Sequence, residues 1–147
     1  MDDIWKLLAI LLAGFGGYIA YQQFRLGREK FKLDLFDKRF SVFAATRRLL
    51  STILIEANVS LEQLFEYRAA VAEATFLFDS DITDYLDEID EKAFRFRFTR
   101  EQIGIVPVVE NRPKLVEEHH QILAWLTDQL PVLKVKFGPY LKFHVWR

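Results

Sequence analysis

Eighteen consecutive residues, Leu7 to Phe24, carry no charged side chain and lie between Lys6 and Arg25. At about 1.5 Å per residue, a helix of that length reaches roughly 27 Å, enough to cross the hydrocarbon core of a bilayer. A helix also satisfies its own backbone polar groups, which lipid cannot do. The stretch therefore predicts an N-terminal transmembrane helix, and the rest of the chain reads as a domain tethered to a membrane. Two readings compete with this one. A signal peptide wants a basic start, a short apolar core and a small-x-small cleavage site. This chain begins Met1-Asp2-Asp3, and its apolar core runs on into Tyr18-Ile19-Ala20-Tyr21. A core helix of a water-soluble protein shows a polar face, which this stretch does not.

The flanks predict an orientation. Trp5 marks one end and Tyr18 and Tyr21 the other, as suits rings at headgroup level. Asp2, Asp3 and Lys6 precede the apolar run, whereas Arg25, Arg28, Lys30 and Lys32 follow it. Basic residues stay on the cytoplasmic side, so the N-terminus is expected outside and the C-terminal domain in the cytoplasm. The same four bases are candidates for contact with anionic lipid headgroups, at about 1 kcal/mol each. The positive-inside rule accounts for them equally well. Within the apolar run, Ala9, Ala13 and Gly17 recur every fourth residue, with Gly16 and Ala20 beside them. Small residues at that interval let two membrane helices approach closely. They form the candidate self-association face, although Gly and Ala are also common in membrane helices.

Behind an anchor of residues 1–26, residues 27–147 amount to one small domain. Hydrophobic residues make up 51% of the 147, and fourteen are Phe, enough for an aromatic core. The net charge of −1 indicates no polyanionic partner. With no cysteine, disulfides and thiolate metal sites are excluded.

The domain reads as all-α, with about four helices. Gly27 is the expected joint after the anchor, where the membrane helix ends or bends. A second helix is predicted from Arg28 to Glu56, with Leu33, Phe36, Phe40, Phe43, Leu50 and Leu54 as its buried stripe. Asp34 and Lys38 are spaced as an i,i+4 pair. Asn58-Val59-Ser60 interrupts it, and Ser60 with Gln63 forms a capping-box pattern. A third helix is expected over Leu61 to Phe78, with Leu64, Phe65, Ala69, Ala72, Phe76 and Leu77 inward. After the Asp79-Ser80-Asp81 turn, a fourth runs from Ile82 to about Gln102, with Ile82, Tyr85, Leu86, Ile89 and Ala93 inward. Gly104 to Asn111 reads as a loop; Ile105-Val106-Pro107-Val108-Val109 has the composition of a short strand, but nothing else in the chain offers it a partner. Asn111 and Pro113 then start a fifth helix expected to run to Gln129 or Leu130, where Pro131 ends or kinks it. Leu115, Ile122, Leu123 and Leu126 face inward on it. A turn at Gly138-Pro139 leads into a tail whose Phe137, Tyr140, Leu141, Phe143 and Trp146 are expected to pack on the domain.

Lys32-Leu33-Asp34-Leu35-Phe36-Asp37-Lys38-Arg39-Phe40 resembles the signature of a family of small uncharacterised bacterial proteins with one membrane helix before that motif. Phe76-Leu77-Phe78 leading to Tyr85-Leu86, and Phe137-Gly138-Pro139-Tyr140-Leu141-Lys142-Phe143, are similar to later stretches of the same family. The resemblance implies a bacterial or phage-borne membrane protein with a helical domain. It implies no activity and no site residues.

Three groups invite a chemical reading. Glu117 and His120 have the Glu-x-x-His spacing of carboxylate-bridged di-iron bundles, with Glu73 as a possible further ligand. Such sites need a second pair, which His119 and His144 do not form, so an exposed polar face is preferred. Asp79, Asp81, Asp84, Asp87, Glu88, Asp90 and Glu91 superficially resemble a calcium loop. The sixth position holds Asp84 in place of glycine, which favours a solvated acidic helix face. Lys92, Arg95, Arg97 and Arg100 alternate with Phe94, Phe96 and Phe98, as in single-strand nucleic-acid binders. On a helix, alternate residues do not share a face. Phe94 and Phe98 are therefore expected inward and Arg95 and Arg100 outward, serving ion pairs more than nucleic acid.

The expectation for function is a membrane-anchored helical scaffold or interaction protein, not an enzyme. It would self-associate or dock a protein partner at a bacterial inner membrane, with no cofactor, metal or small-molecule substrate. The alternative is an effector that perturbs the bilayer, for example in phage conflict.

Overall fold

The computed structural model describes residues 2–105 and 112–142, with side chains for all of these except 2, 3 and 7–10. Every regular element among them is a helix: α1 (Asp2–Glu56), α2 (Leu61–Val71), α3 (Ala74–Leu77), α4 (Ser80–Ile105) and α5 (Arg112–Phe137). The chain divides into two compact units, Met1–Asp37 and Lys38–Arg147.

In the first unit the helix does not end at Gly27. α1 is one helix of 55 residues. Glycine inside a helix costs only about 1 kcal/mol, too little to end it. No glycine has the positive φ of a left-handed cap. The helix is long and apolar enough to span a membrane by length and composition, and none of its apolar window is buried by the rest of the chain.

Helix α1 ends at Glu56, as expected, and the next residue, Ala57, has a φ of 45°, the only positive value on a non-glycine residue among those described. The capping box follows as expected: the Ser60 backbone N–H donates to Gln63 Oε1 at 2.8 Å, and the Gln63 N–H donates to Ser60 Oγ at 3.1 Å. Two arginines of α4 hold this connection from outside. Arg97 donates to the Val59 carbonyl at 3.0 Å, and Arg100 donates to that of Ala57. Val59 is fully buried beneath them.

The second unit buries its own core. Val42, Phe43, Leu49, Leu50 and Ile53 of α1 meet Leu64 and Tyr67 of α2 and the α4 row Ile82, Tyr85, Leu86, Ile89, Ala93 and Phe96. Ile122, Leu126, Leu133 and Phe137 of α5 complete it. Leu115 and Leu123 are half-buried. Of the stripe expected before Phe43, Leu33 and Phe40 are exposed.

Three further expectations are corrected. First, the helix expected over Leu61 to Phe78 is broken at Ala72-Glu73, and the turn resets its phase. Beyond it Ala74 and Phe78 go inward and Phe76 stays in solvent with Ala72; before it the buried pair Leu64 and Tyr67 sets the inward face of α2 and leaves Phe65 and Ala69 in solvent. Second, Phe94 and Phe98 are exposed and Phe96 is the buried phenylalanine. The α4 stripe continues from Ala93 by a step of three, which selects Phe96 and then Thr99. Third, Pro131 lies inside α5, which continues to Phe137. A mid-helix proline costs about 3 kcal/mol. The next turns carry Leu133 and Phe137, both fully buried, and each contributes about 1.5–3 kcal/mol. Burial beyond the proline therefore exceeds its cost.

Gly138, Pro139 and Tyr140 form the expected turn. Phe137, Tyr140 and Leu141 pack on the core. Gly104 and Ile105, expected in the loop, continue α4 instead; the rest of that loop with its possible strand, the Asn111 cap, Phe143, His144 and Trp146 lie outside the described residues.

Candidate functional site

The first candidate surface is the N-terminal half of α1. Its regular helical spacing puts Ala13, Gly17 and Ala20 on one stripe with Gly16 beside it, all of them exposed. A Cβ added at Gly16 or Gly17 would meet nothing within 4 Å, so the face is open to another helix. Ala9 lies one turn earlier on the same helix, and its side chain lies outside the described set. Further along, Arg25 faces Glu29 at 3.9 Å, and Arg28 lies over the Phe24 ring at 5.8 Å. Lys30 and Lys32 are exposed.

The second candidate is a cluster in the C-terminal unit that sequence reasoning missed. Arg39 Nε donates to the Leu77 carbonyl at 2.9 Å. Its guanidinium lies over Phe78 at 5.7 Å and over Tyr140 at 5.4 Å. Phe78 in turn packs edge-on against Phe137 at 5.1 Å and Tyr140 at 5.3 Å. The Tyr140 hydroxyl shares its proton between Asp79, 2.9 Å away, and Asp81, 3.1 Å away. Lys38 pairs with Glu73 at 3.2 Å beside this cluster, in place of the expected pairing with Asp34. Burial pulls Arg39 below its usual value, opposed by the charge of Tyr140 and Asp79. Tyr140 is pushed up to about 12, by burial first and then by its two carboxylate partners.

Each of the three stretches that carry the resemblance contributes here: Arg39 from the first, Leu77 and Phe78 from the second, Phe137 and Tyr140 from the third. That was the available signal. Its geometry was hidden because the partners lie up to 101 residues apart in the sequence, from Arg39 to Tyr140. Physically the cluster is a latch. It ties the turn after α5 to the start of α4 and to α1 by hydrogen bonds and cation–π contact.

This latch gives a measurable expectation. Tyr140→Phe removes hydrogen bonds to charged acceptors at a half-exposed site, and a loss of about 1–2 kcal/mol is expected in chemical denaturation. The pH dependence has a definite sign. The phenol titrates near 10 when unfolded and near 12 when folded. Its contribution is therefore complete below about pH 10 and is lost as pH rises through 12. The phenylalanine variant should lack that alkaline slope.

The remaining candidate groups are placed as follows. Glu117 accepts from Gln121 at 2.9 Å, and Glu73 is engaged by Lys38. Among the described residues no group of three or more His, Asp or Glu is arranged to hold a metal ion. His119 stacks on Phe96 with ring centroids 4.3 Å apart. Thr99 donates its hydroxyl proton to the Phe96 carbonyl at 3.0 Å, so at 2.9 Å it accepts from His119 Nδ1–H. Burial lowers the pKa of His119, with His120 and Arg100 adding to the effect. The histidine thus acts as a neutral packing group between α4 and α5.

The bases of the aromatic row all face protein groups. Arg95 donates to Glu118 at 2.6 Å, Arg97 also engages Glu101, and Lys92 lies 5.7 Å over Trp125. In the acidic run, Asp79 and Asp81 receive Tyr140, and Asp90 receives Arg68 at 2.9 Å through both oxygens. Asp84, Asp87, Glu88 and Glu91 are exposed.

No family model, no curated protein and no solved structure matches the chain.

Proposed function

We propose that the chain is a single-pass, membrane-anchored helical scaffold without catalytic activity, set in a bacterial inner membrane with residues 27–147 in the cytoplasm. One observation carries this reading. The apolar window of α1 has no cover from its own chain, while the second unit buries a complete core of its own. A core helix is held by its neighbours; this one has lipid as its natural solvent. The asymmetry of Asp2 and Asp3 against Arg25, Arg28, Lys30 and Lys32 supports the orientation. The resemblance supports the bacterial source. The open stripe of Ala13, Gly16, Gly17 and Ala20, extended by Ala9, supports self-association. The domain's part is then to present helical surfaces to a protein partner.

The absence of cysteine makes the test clean. Full-length chain should stay in the membrane pellet after alkaline extraction. A cysteine replacing Asp2 should react with an impermeant maleimide in intact cells, and one replacing Glu62 only after lysis. Extraction into the alkaline supernatant would overturn the anchor, and the reverse labelling pattern the orientation. Gly17→Ile places a branched side chain on the small face and should shift the oligomer to monomer in detergent. An unchanged size would remove self-association through that face.

A further inference from the structure

The second unit leaves an apolar surface uncovered where α2 packs on α4. Leu61 and Phe65 on α2 are 44% and 60% exposed, and Phe94 and Phe98 on α4 are 45% and 42% exposed. In each helix the two residues are spaced i,i+4 and share a face. The helices run antiparallel, since Arg97 meets Val59, two residues before α2, while Tyr67 and Arg68 near the end of α2 meet Leu86 and Asp90 earlier on α4. Arg68 closes the seam, with its guanidinium 5.9 Å from the Phe65 ring and 5.6 Å from the Phe94 ring. The result is a two-helix apolar face whose central rings, Phe65 and Phe94, both lie against the Arg68 guanidinium.

Charge identifies what covers it. Residues 60–105 hold eleven Asp and Glu against five Lys and Arg. The two arginines at the seam are occupied, Arg68 by Asp90 and Arg97 by Glu101. The rim is set by Glu62 and Glu66, each one position after an apolar anchor on α2, and by Asp87 and Glu91, each seven positions before one on α4. All four are exposed. A second copy seated face to face would bring acid against acid, and an anionic lipid surface would be repelled in the same way. A helix with an apolar stripe and Lys or Arg on its flanks is attracted by both terms.

We infer that the Leu61/Phe65/Phe94/Phe98 face docks a basic amphipathic helix of a partner protein. This deepens the scaffold reading above, and rests on it, by naming the partner's chemistry. The test uses full-length chain in zwitterionic phosphatidylcholine nanodiscs, with empty nanodiscs as the blank. The probe is a labelled peptide of about 18 residues, with Leu along one helical stripe and Lys elsewhere; its twin carries Glu in place of Lys. The Lys peptide should bind, and more weakly as salt rises; the Glu peptide should not. Phe65→Ser with Phe94→Ser should weaken binding about tenfold or more. Glu66→Lys with Glu91→Lys should weaken it and flatten the salt dependence. All four positions are exposed, so unchanged melting curves will show that the fold is kept.

The inference is overturned if the Ser pair binds the Lys peptide as the unaltered chain does, or if the two peptides bind alike. It is also overturned if a Phe65→Cys chain oxidises fully to dimer, which makes the occupant a second copy. Patch-dependent binding to anionic vesicles would make the occupant lipid and overturn it likewise. Failure of the anchor reading is separately visible: the unaltered chain would then leave the membrane pellet while peptide binding persisted.

Discussion

Phe137→Ala is expected to destabilise the C-terminal unit by about 3–5 kcal/mol, as for a fully buried phenylalanine cut to alanine. Phe137 is 0% exposed and lies against Phe43 at 5.6 Å and Phe78 at 5.1 Å. It joins α1, the segment before α4 and the end of α5 in one contact. Truncating it opens a cavity among groups from three distant parts of the chain. It also removes the seat of Phe78, on which Arg39 and Tyr140 rest. A small domain is stable by only about 5–15 kcal/mol, so a large share of the folded population should be lost under mild denaturation. The measurement is chemical denaturation of the full chain in detergent, followed by near-ultraviolet circular dichroism. Phe76→Ala is the control. Phe76 is 86% exposed, and a surface change of this kind stays within about 0.5 kcal/mol. Equal losses from the two would mean that Phe137 is not the centre of this core.

Leu12→Arg combined with Phe15→Arg is expected to abolish membrane insertion. Both residues lie in the middle of the apolar run, and both are exposed. One arginine at the centre of a membrane helix costs about 2.5–3.5 kcal/mol, and the pair about twice that. The chain should move from the alkaline-resistant pellet to the soluble or aggregated fraction. Gln22→Arg, beside the existing basic flank, should leave it in the pellet. The C-terminal unit should keep its unfolding transition throughout, because its core draws on residues from Val42 onward. Retention of the double arginine chain in the pellet would remove lipid as the solvent of this helix.

The two changes probe features that were unequally legible. The uncharged run from Leu7 to Phe24 is a local property, and so is the capping box of Ser60 and Gln63. The α4 row from Ile82 to Ala93 repeats at helical period, and it is buried as that period predicts. Each of these signals is complete within a few turns of one helix, and that is why the linear chain discloses it.

The sequence by itself therefore determined that the chain is helical, where its apolar helix lies, and most of one core face. Only the tertiary structure decided which signals prevail where they conflict. Glycine and proline argue for breaks at Gly27 and Pro131, but their costs of about 1 and 3 kcal/mol are no larger than the burial of one or two side chains. α5 runs through Pro131 because Leu133 and Phe137 lie beyond it. The Phe94-Phe96-Phe98 row takes the register of the stripe before it: three residues on from Ala93 is Phe96, and packing against α5 then covers it with His119. The Arg39–Tyr140 latch and the exposed face around Phe65 arise between segments far apart in the chain. No local pattern encodes a meeting of that kind, because its energy exists only once the helices are packed.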